Sequence, residues 1–239
     1  MPFRAMTIQQ AAERLHLGVR EVEQLVKRDG IPFVRRGTEV VFVRRDLDAW
    51  ASQRLLGMES DSVTAHHRVS TQRRQQSLDH DHLVPMLFRA EWMAAGLLSK
   101  TKPSVMRDMV ALAAKTDLLY DDAALFHGLQ EREELCSTAL DEGVAFLHTR
   151  YHDPGICGDS FVVLGRTVQP IFAGAADGKT TDIFFLLCCQ DDVLHLHTLA
   201  RLCAMAHATS LLADLRQAET TAEMMGALVR NENAVLQGI

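Results

Sequence analysis

Apolar residues in the first fifty-six positions recur at two periods, one helical and one extended. Ile8, Ala11, Ala12 and Leu15 share one side of a 3.6-residue repeat, so a helix is predicted there, with Thr7 as its cap. Gly18 ends it and allows a tight turn. A second helix is predicted over about 19–28, with Val22, Leu25 and Val26 inward, and Gly30-Ile31-Pro32 stops it. Residues 33–42 read as two short strands around Gly37-Thr38. A third helix begins near Arg45 or Asp46 and uses Leu47, Trp50, Leu55 and Leu56.

Residues 57–81 are polar and nearly free of large apolar side chains, which predicts a linker. The apolar pattern resumes at His82. Leu83, Leu87, Trp92, Met93 and Leu97 predict one or two helices. A further helix is predicted over 104–115, burying Val105, Met109, Leu112 and Ala113 after the start signal Lys102-Pro103-Ser104, and another over 121–135. Strand-like runs follow at 144–147, 161–164, 170–172 and 183–189, then helices over about 192–207 and 220–228. Strands interspersed with helices predict an α/β layer fold.

Charge divides the chain the same way. Residues 1–56 hold ten Lys/Arg against seven Asp/Glu, while the whole chain is −6, so a mildly basic head precedes an acidic body. That asymmetry suggests a nucleic-acid contact in the head. The longest apolar runs are too short to span a bilayer, and no long apolar core marks the first residues as a signal peptide. A cytoplasmic protein with no membrane partner is expected. Five cysteines, odd in number and without a CxxC pair, read as small buried side chains in a reducing compartment. No Walker loop, GxSxG or dinucleotide fingerprint is present, and no cofactor is expected.

The candidate chemistry lies in the second half. Arg132 opens the run Arg132-Glu133-Glu134-Leu135-Cys136-Ser137-Thr138. His148 closes Gly143-Val144-Ala145-Phe146-Leu147-His148, sixteen residues later, and His195 follows after forty-seven more. A neutral imidazole can accept a phosphoryl group and pass it on. The incoming group is anionic, so it needs donors such as a guanidinium around it and no crowding carboxylate. His195 would sit one turn into a helix starting near Asp192, where the dipole favours an anion; His197, two residues on, faces away.

This arrangement resembles the enzyme IIA domain of the phosphoenolpyruvate-dependent phosphotransferase system, of the fructose, mannitol and nitrogen-regulatory type. The supporting runs are 161–166, 176–179 and 182–187, and the resemblance covers about residues 84–235. It implies a mixed central sheet flanked by helices and a phosphohistidine phosphotransferase activity. His148 would be the acceptor, His195 and Arg132 its catalytic partners, and a histidine phosphocarrier protein the donor. The chain departs from the family in three places: Leu147 stands where proline precedes the histidine, and Ala139 and Asp141 stand where glycines are usual. Asp141 or the adjacent Glu142, if turned toward His148, would repel a phosphoryl group. A metal site from His148, His152, His195 and Cys157 is the alternative, but its spacing matches no zinc signature.

Helix, short turn, helix, hairpin, helix is a winged helix-turn-helix order. Ala11-Ala12-Glu13-Arg14-Leu15, Leu17-Gly18-Val19, Gly30-Ile31-Pro32 and Asp46-Leu47-Asp48-Ala49-Trp50 resemble the excisionase and MerR-like DNA-binding family. In that reading Arg20 and Gln24 reach base edges, Lys27 and Arg28 meet phosphates, and Arg35 and Arg36 sit on the wing. Glu21, Glu23 and Glu39 oppose phosphates. So few cations bind double-stranded DNA weakly, so a homodimer is expected.

The expected organisation is a winged helix-turn-helix at 1–56, a polar linker at 57–81 and an enzyme IIA-like domain at 82–239. The function it implies is a DNA-binding transcriptional regulator controlled by phosphorylation of His148. A non-catalytic adaptor with a degenerate IIA fold, binding partner proteins or a ligand, is the second reading. An active sugar-uptake phosphotransferase is the third, which the DNA-binding head and the missing proline argue against.

Overall fold

Thr7 and Gln10 close the first helical turn reciprocally. The Gln10 amide donates to Thr7 Oγ1 at 3.3 Å, and the Thr7 amide donates to Gln10 Oε1 at 3.0 Å. The computed structural model describes residues 5–15, 17–37, 39–56, 82–151 and 155–238. The chain divides into two compact units, Met1–Asp79 and His80–Ile239. The linker expected at 57–81 lies outside the described residues.

In the first unit, β1 (Ala5–Met6) leads into α1 (Ile8–Leu15) and α2 (Val19–Lys27). A hairpin of β2 (Val34–Arg36) and β3 (Glu39–Val43) follows, and α3 (Arg44–Leu56) starts directly after β3. The sheet order is β1-β3-β2, all antiparallel; β1 is a strand too short for its pattern to announce. Gly37 takes φ 62° at the hairpin turn, a region that suits a residue without Cβ. Gly18, by contrast, is extended (φ −71°, ψ 144°) and precedes α2 as its cap rather than ending α1 in a left-handed turn. Asp48 is 4% exposed and accepts from Nε and Nη2 of Arg14, a bidentate pair that ties α3 to α1.

The second unit opens with the short α4 (Leu83–Leu87) and a 3-10 turn at Ala90–Trp92. Then comes β4 (Met93–Leu97), a strand where the sequence pattern predicts helix. Helices α5 (Lys102–Ala114) and α6 (Asp122–Leu135) are capped by Thr101 and Asp121, close to the predicted bounds. Next are β5 (Ala139–Leu140), a 3-10 turn at Asp141–Gly143, β6 (Val144–Leu147), β7 (Phe161–Ile171) and β8 (Thr181–Cys188). The two runs expected at 161–164 and 170–172 are one strand. Helices α7 (Asp192–Ala208), α8 (Leu211–Gln217) and α9 (Thr221–Gln237) complete the unit.

The strands form one mixed sheet in the order β4-β7-β8-β6-β5. β4 runs parallel to β7 and β6 parallel to β8, while β7/β8 and β5/β6 are antiparallel. Alternate strand residues face opposite sides. Ala145, Leu147, Phe161, Val163, Phe184 and Leu186 pack with Val105, Met109, Leu125 and Leu129 of α5 and α6. On the other side Phe146 stacks on Phe185 at 5.3 Å between ring centroids, and Phe88 meets Phe185 edge-on at 6.3 Å.

Candidate functional site

The parallel pairing of β6 with β8 brings their carboxyl ends together. His148 follows β6 directly, and α7 begins soon after β8, so His195 reaches the same place. The His148 and His195 rings lie 4.9 Å apart between centroids, inclined at 46°. Arg132 arrives from the last turn of α6, and its Nε donates to Nε2 of His148 at 3.3 Å. All three residues are at most 2% exposed. The side chains that the sequence placed in one site are thus in contact.

A helix-interior glycine makes this approach feasible. At Gly128, four residues before Arg132 on α6, a Cβ would lie 2.9 Å from Cγ2 of Thr149, the residue after His148. Only a residue without Cβ lets the helix lie this close to the end of β6, although glycine inside a helix costs roughly 1 kcal/mol relative to alanine. Gly128 lies outside the motif residues; a glycine one turn before Arg132, inside an otherwise regular helix, is the sequence signal that marks it.

Two partners fix the histidine tautomer. Nδ1 of His148 is 2.8 Å from the carbonyl oxygen of Phe146, which can only accept, so Nδ1 carries the proton. Arginine can only donate, so Nε2 presents its lone pair to Arg132. The neutral imidazole therefore holds a nucleophilic Nε2 beside a cation. Nη1 of Arg132 donates to the carbonyl oxygen of Cys136 at 2.9 Å and contacts its Sγ at 3.4 Å. Nη2 is buried and has no hydrogen-bond partner among the described residues, and a guanidinium N–H in that position suits an anion.

Two sequence expectations about charge change here. The amides that open α7 are not open to an external anion, because Asp191 accepts from Val193 at 2.8 Å and Leu194 at 2.9 Å. The dipole near His195 is already met by a carboxylate. Asp141 and Glu142 do not crowd His148 either. They are exposed and precede β6, whereas His148 follows it, so the whole four-residue strand, roughly 13 Å long at about 3.3 Å per residue, lies between them. The Glu142 carbonyl accepts from Arg216, whose Nη2 also bonds Asp182 at 2.8 Å; that hydrogen bond raises the Arg216 pKa.

The alternative metal set does not assemble as written. His152 lies outside the described residues, and among the described residues no group of three His, Cys, Asp or Glu is arranged to hold a metal ion. Burial raises the Cys157 thiol, with Asp159 adding to the shift.

In the first unit, Arg20, Gln24, Lys27 and Arg28 are all exposed on α2 and its C-cap, opposite the buried Val22 and Val26. Their spacing puts Arg20, Gln24, Lys27 and Arg28 on one face. Arg35 and Arg36 are exposed on β2. Of the opposing carboxylates, Glu21 is paired with Arg54 at 3.0 Å.

Comparison with known proteins accords with both halves of this geometry. The family model described as "Phosphoenolpyruvate-dependent sugar phosphotransferase system, EIIA 2" matches residues 86–231, more than half of the chain. The chain belongs to the EIIA 2 family. A helix-turn-helix domain model matches residues 5–55 of the same chain. The EIIA unit is similar to nitrogen regulatory protein IIA-Ntr from Neisseria meningitidis, at 23% identity and a TM-score of 0.56 over 62% of this chain and 99% of that one. It is also similar to IIA mannitol from Escherichia coli, at 17% identity and 0.51 over 59% of this chain and 98% of that one. A third likeness is to the Escherichia coli complex of enzyme IIAMtl and phosphorylated enzyme IIBMtl, at 16% and 0.53 over 60% and 97%. At these identities the structural likenesses establish the fold alone. No curated protein matches the chain. An EIIA domain joined to a helix-turn-helix points to regulation linked to the phosphotransferase system and to DNA binding. Among the described residues no helix is long and apolar enough to cross a membrane.

Proposed function

We propose that this protein is a DNA-binding transcriptional regulator whose EIIA domain is phosphorylated on Nε2 of His148 by a histidine phosphocarrier protein. The observation that carries this reading is the Arg132–His148–His195 contact, with Nε2 of His148 unprotonated and, beside it, a guanidinium nitrogen, Nη2 of Arg132, without a hydrogen-bond partner among the described residues. In the transfer, the Nε2 lone pair attacks phosphorus, and the bond from phosphorus to the carrier's histidine nitrogen breaks. Arg132 and His195 hold the phosphoryl oxygens. The winged helix-turn-helix at 1–56 would then bind double-stranded DNA as part of a homodimer, through Arg20, Gln24, Lys27, Arg28, Arg35 and Arg36. The polar segment 57–81 would join it to the domain at 82–239.

The test is incubation of the full chain with phosphoenolpyruvate, enzyme I and the phosphocarrier, read by intact mass. A gain of one phosphoryl group in wild type and none in His148→Ala is the expected result. Labelling that survives His148→Ala would move the acceptor elsewhere. One observation favours a second reading, a non-catalytic adaptor: His148 is only 2% exposed and its nucleophilic atom faces Arg132. Wild type that takes no phosphoryl group, while still binding the carrier, selects that reading.

A further inference from the structure

The residue after Arg132 has a role that the phosphoryl chemistry does not include. Glu133 is nearly buried, with a side chain 7% exposed, and its carboxylate makes three contacts. It accepts from the Thr138 amide at 3.1 Å and from the Thr138 hydroxyl, and it pairs with the Lys102 ammonium of α5. These contacts close the reversal that takes the chain from α6 into β5. Thr138 then passes the constraint on. Its carbonyl accepts from the Phe146 amide at 3.1 Å, and the Phe146 carbonyl accepts from Nδ1 of His148 at 2.8 Å. The path from Glu133 to the imidazole is an unbroken series of hydrogen bonds through backbone that is fully or almost fully buried. Lys102 also has a charge role. An uncompensated carboxylate one residue from Arg132 would oppose an incoming anion, and the ion pair removes that opposition.

We propose that Glu133 is a positioning residue that fixes the tautomer and tilt of the His148 imidazole by holding Thr138, with Lys102 as its counter-ion. The proposal rests on the reading of His148 as acceptor, but its first readout does not. The full-length protein is labelled with nitrogen-15 histidine, and the His148 resonances are assigned by their loss in His148→Gln. Wild type should show the neutral Nδ1–H form alone. Glu133→Ala should show a mixture with the Nε2–H form and phosphorylation slowed about 10-fold, as for a misplaced base. Glu133→Gln keeps an oxygen for Thr138 and should retain the wild-type tautomer. Lys102→Met should leave the tautomer in place and slow phosphorylation. A wild-type nitrogen pattern in Glu133→Ala overturns the proposal, as does a mixed pattern in Glu133→Gln. If Glu133→Ala does not fold, Glu133→Met is read instead, since it fills the same space and removes both contacts to Thr138; an unchanged pattern there overturns the proposal equally. A tautomer shift in a protein that never takes a phosphoryl group sustains the positioning role and removes the acceptor reading, so the two failures are distinct.

Discussion

Nε of Arg132 donates to Nε2 of His148 at 3.3 Å, so in the proposed transfer the atom that would attack phosphorus faces the group that would hold the product. That transfer would require the guanidinium to move from the lone pair to the phosphoryl oxygens as the new bond forms. Arg132→Gln should therefore lower the initial rate of phosphorylation by roughly 100-fold, the loss typical of a charge-stabilising donor. Arg132→Lys should rescue little, because a point charge cannot serve Nε2 and the Cys136 carbonyl together. Radiolabel incorporation over time, with circular dichroism to confirm folding, decides this.

The residues that depart from the family pattern should matter unequally. Asp141→Gly should change the phosphorylation rate by less than about 2-fold, because the carboxylate is exposed and lies at the far end of β6. Leu147 is paired with Leu186 inside the sheet. Leu147→Pro deletes a backbone donor in a central strand and should cost about 1–3 kcal/mol in urea unfolding.

Arg20→Ala and Lys27→Ala should each weaken binding to duplex DNA. The salt slope should fall by about 1 for each cation that meets a phosphate. Glu23→Ala removes an exposed like charge on α2 and should tighten binding. Fluorescence anisotropy across a salt series measures all three.

A buried ion pair links α7 to α9. Nη1 of Arg201 lies 3.2 Å from Oε1 of Glu232, and the two side chains are 1% and 0% exposed. Glu232→Ala removes the carboxylate that faces a buried guanidinium and should cost about 3–5 kcal/mol in denaturant unfolding. The double variant Arg201→Met, Glu232→Leu should recover only part of that loss, because the Leu83 and Val84 amides also lose their acceptor.

Cys136 is exposed, whereas Cys157, Cys188, Cys189 and Cys203 are buried. A neutral-pH alkylating reagent should label one site in the folded protein, and Cys136→Ser should abolish that labelling. Burial pushes the Cys203 thiol from 9.0 up to about 12. Its neutral form is therefore favoured in the fold. The stabilisation is complete below pH about 9 and is lost as pH rises toward about 12, where the native thiol also ionises. Cys203→Ala should flatten the alkaline limb of the stability curve over that interval.

Periodicity and caps made α5, α6 and α7 legible, and the order of Arg132, His148 and His195 made their contact legible. What escaped the sequence did so for identifiable reasons. β4 is Met-Ala-Ala-Gly-Leu, without β-branched residues, and it follows apolar positions at helical spacing. β7 looked like two strands because Arg166 interrupts its apolar run; its guanidinium is satisfied by the carbonyls of Ala95, Leu215 and Arg216. α9 runs nine residues past the predicted end at Leu228. Asn231 and Glu232 occupy core positions there, and polar residues at inward positions hide the repeat. The network through Glu133 was invisible because its partners come from three separate elements.

Glu232 does more than answer Arg201. It also accepts from the amides of Leu83 at 2.7 Å and Val84 at 3.2 Å, the first turn of the EIIA unit, from a position five residues before the end of α9. The entry and the final helix of this unit are stitched side by side. An additional module can therefore be joined at either end without a connection having to cross the sheet, and a circular permutant that links residue 238 to residue 82 through a short spacer and opens a surface loop should keep the fold.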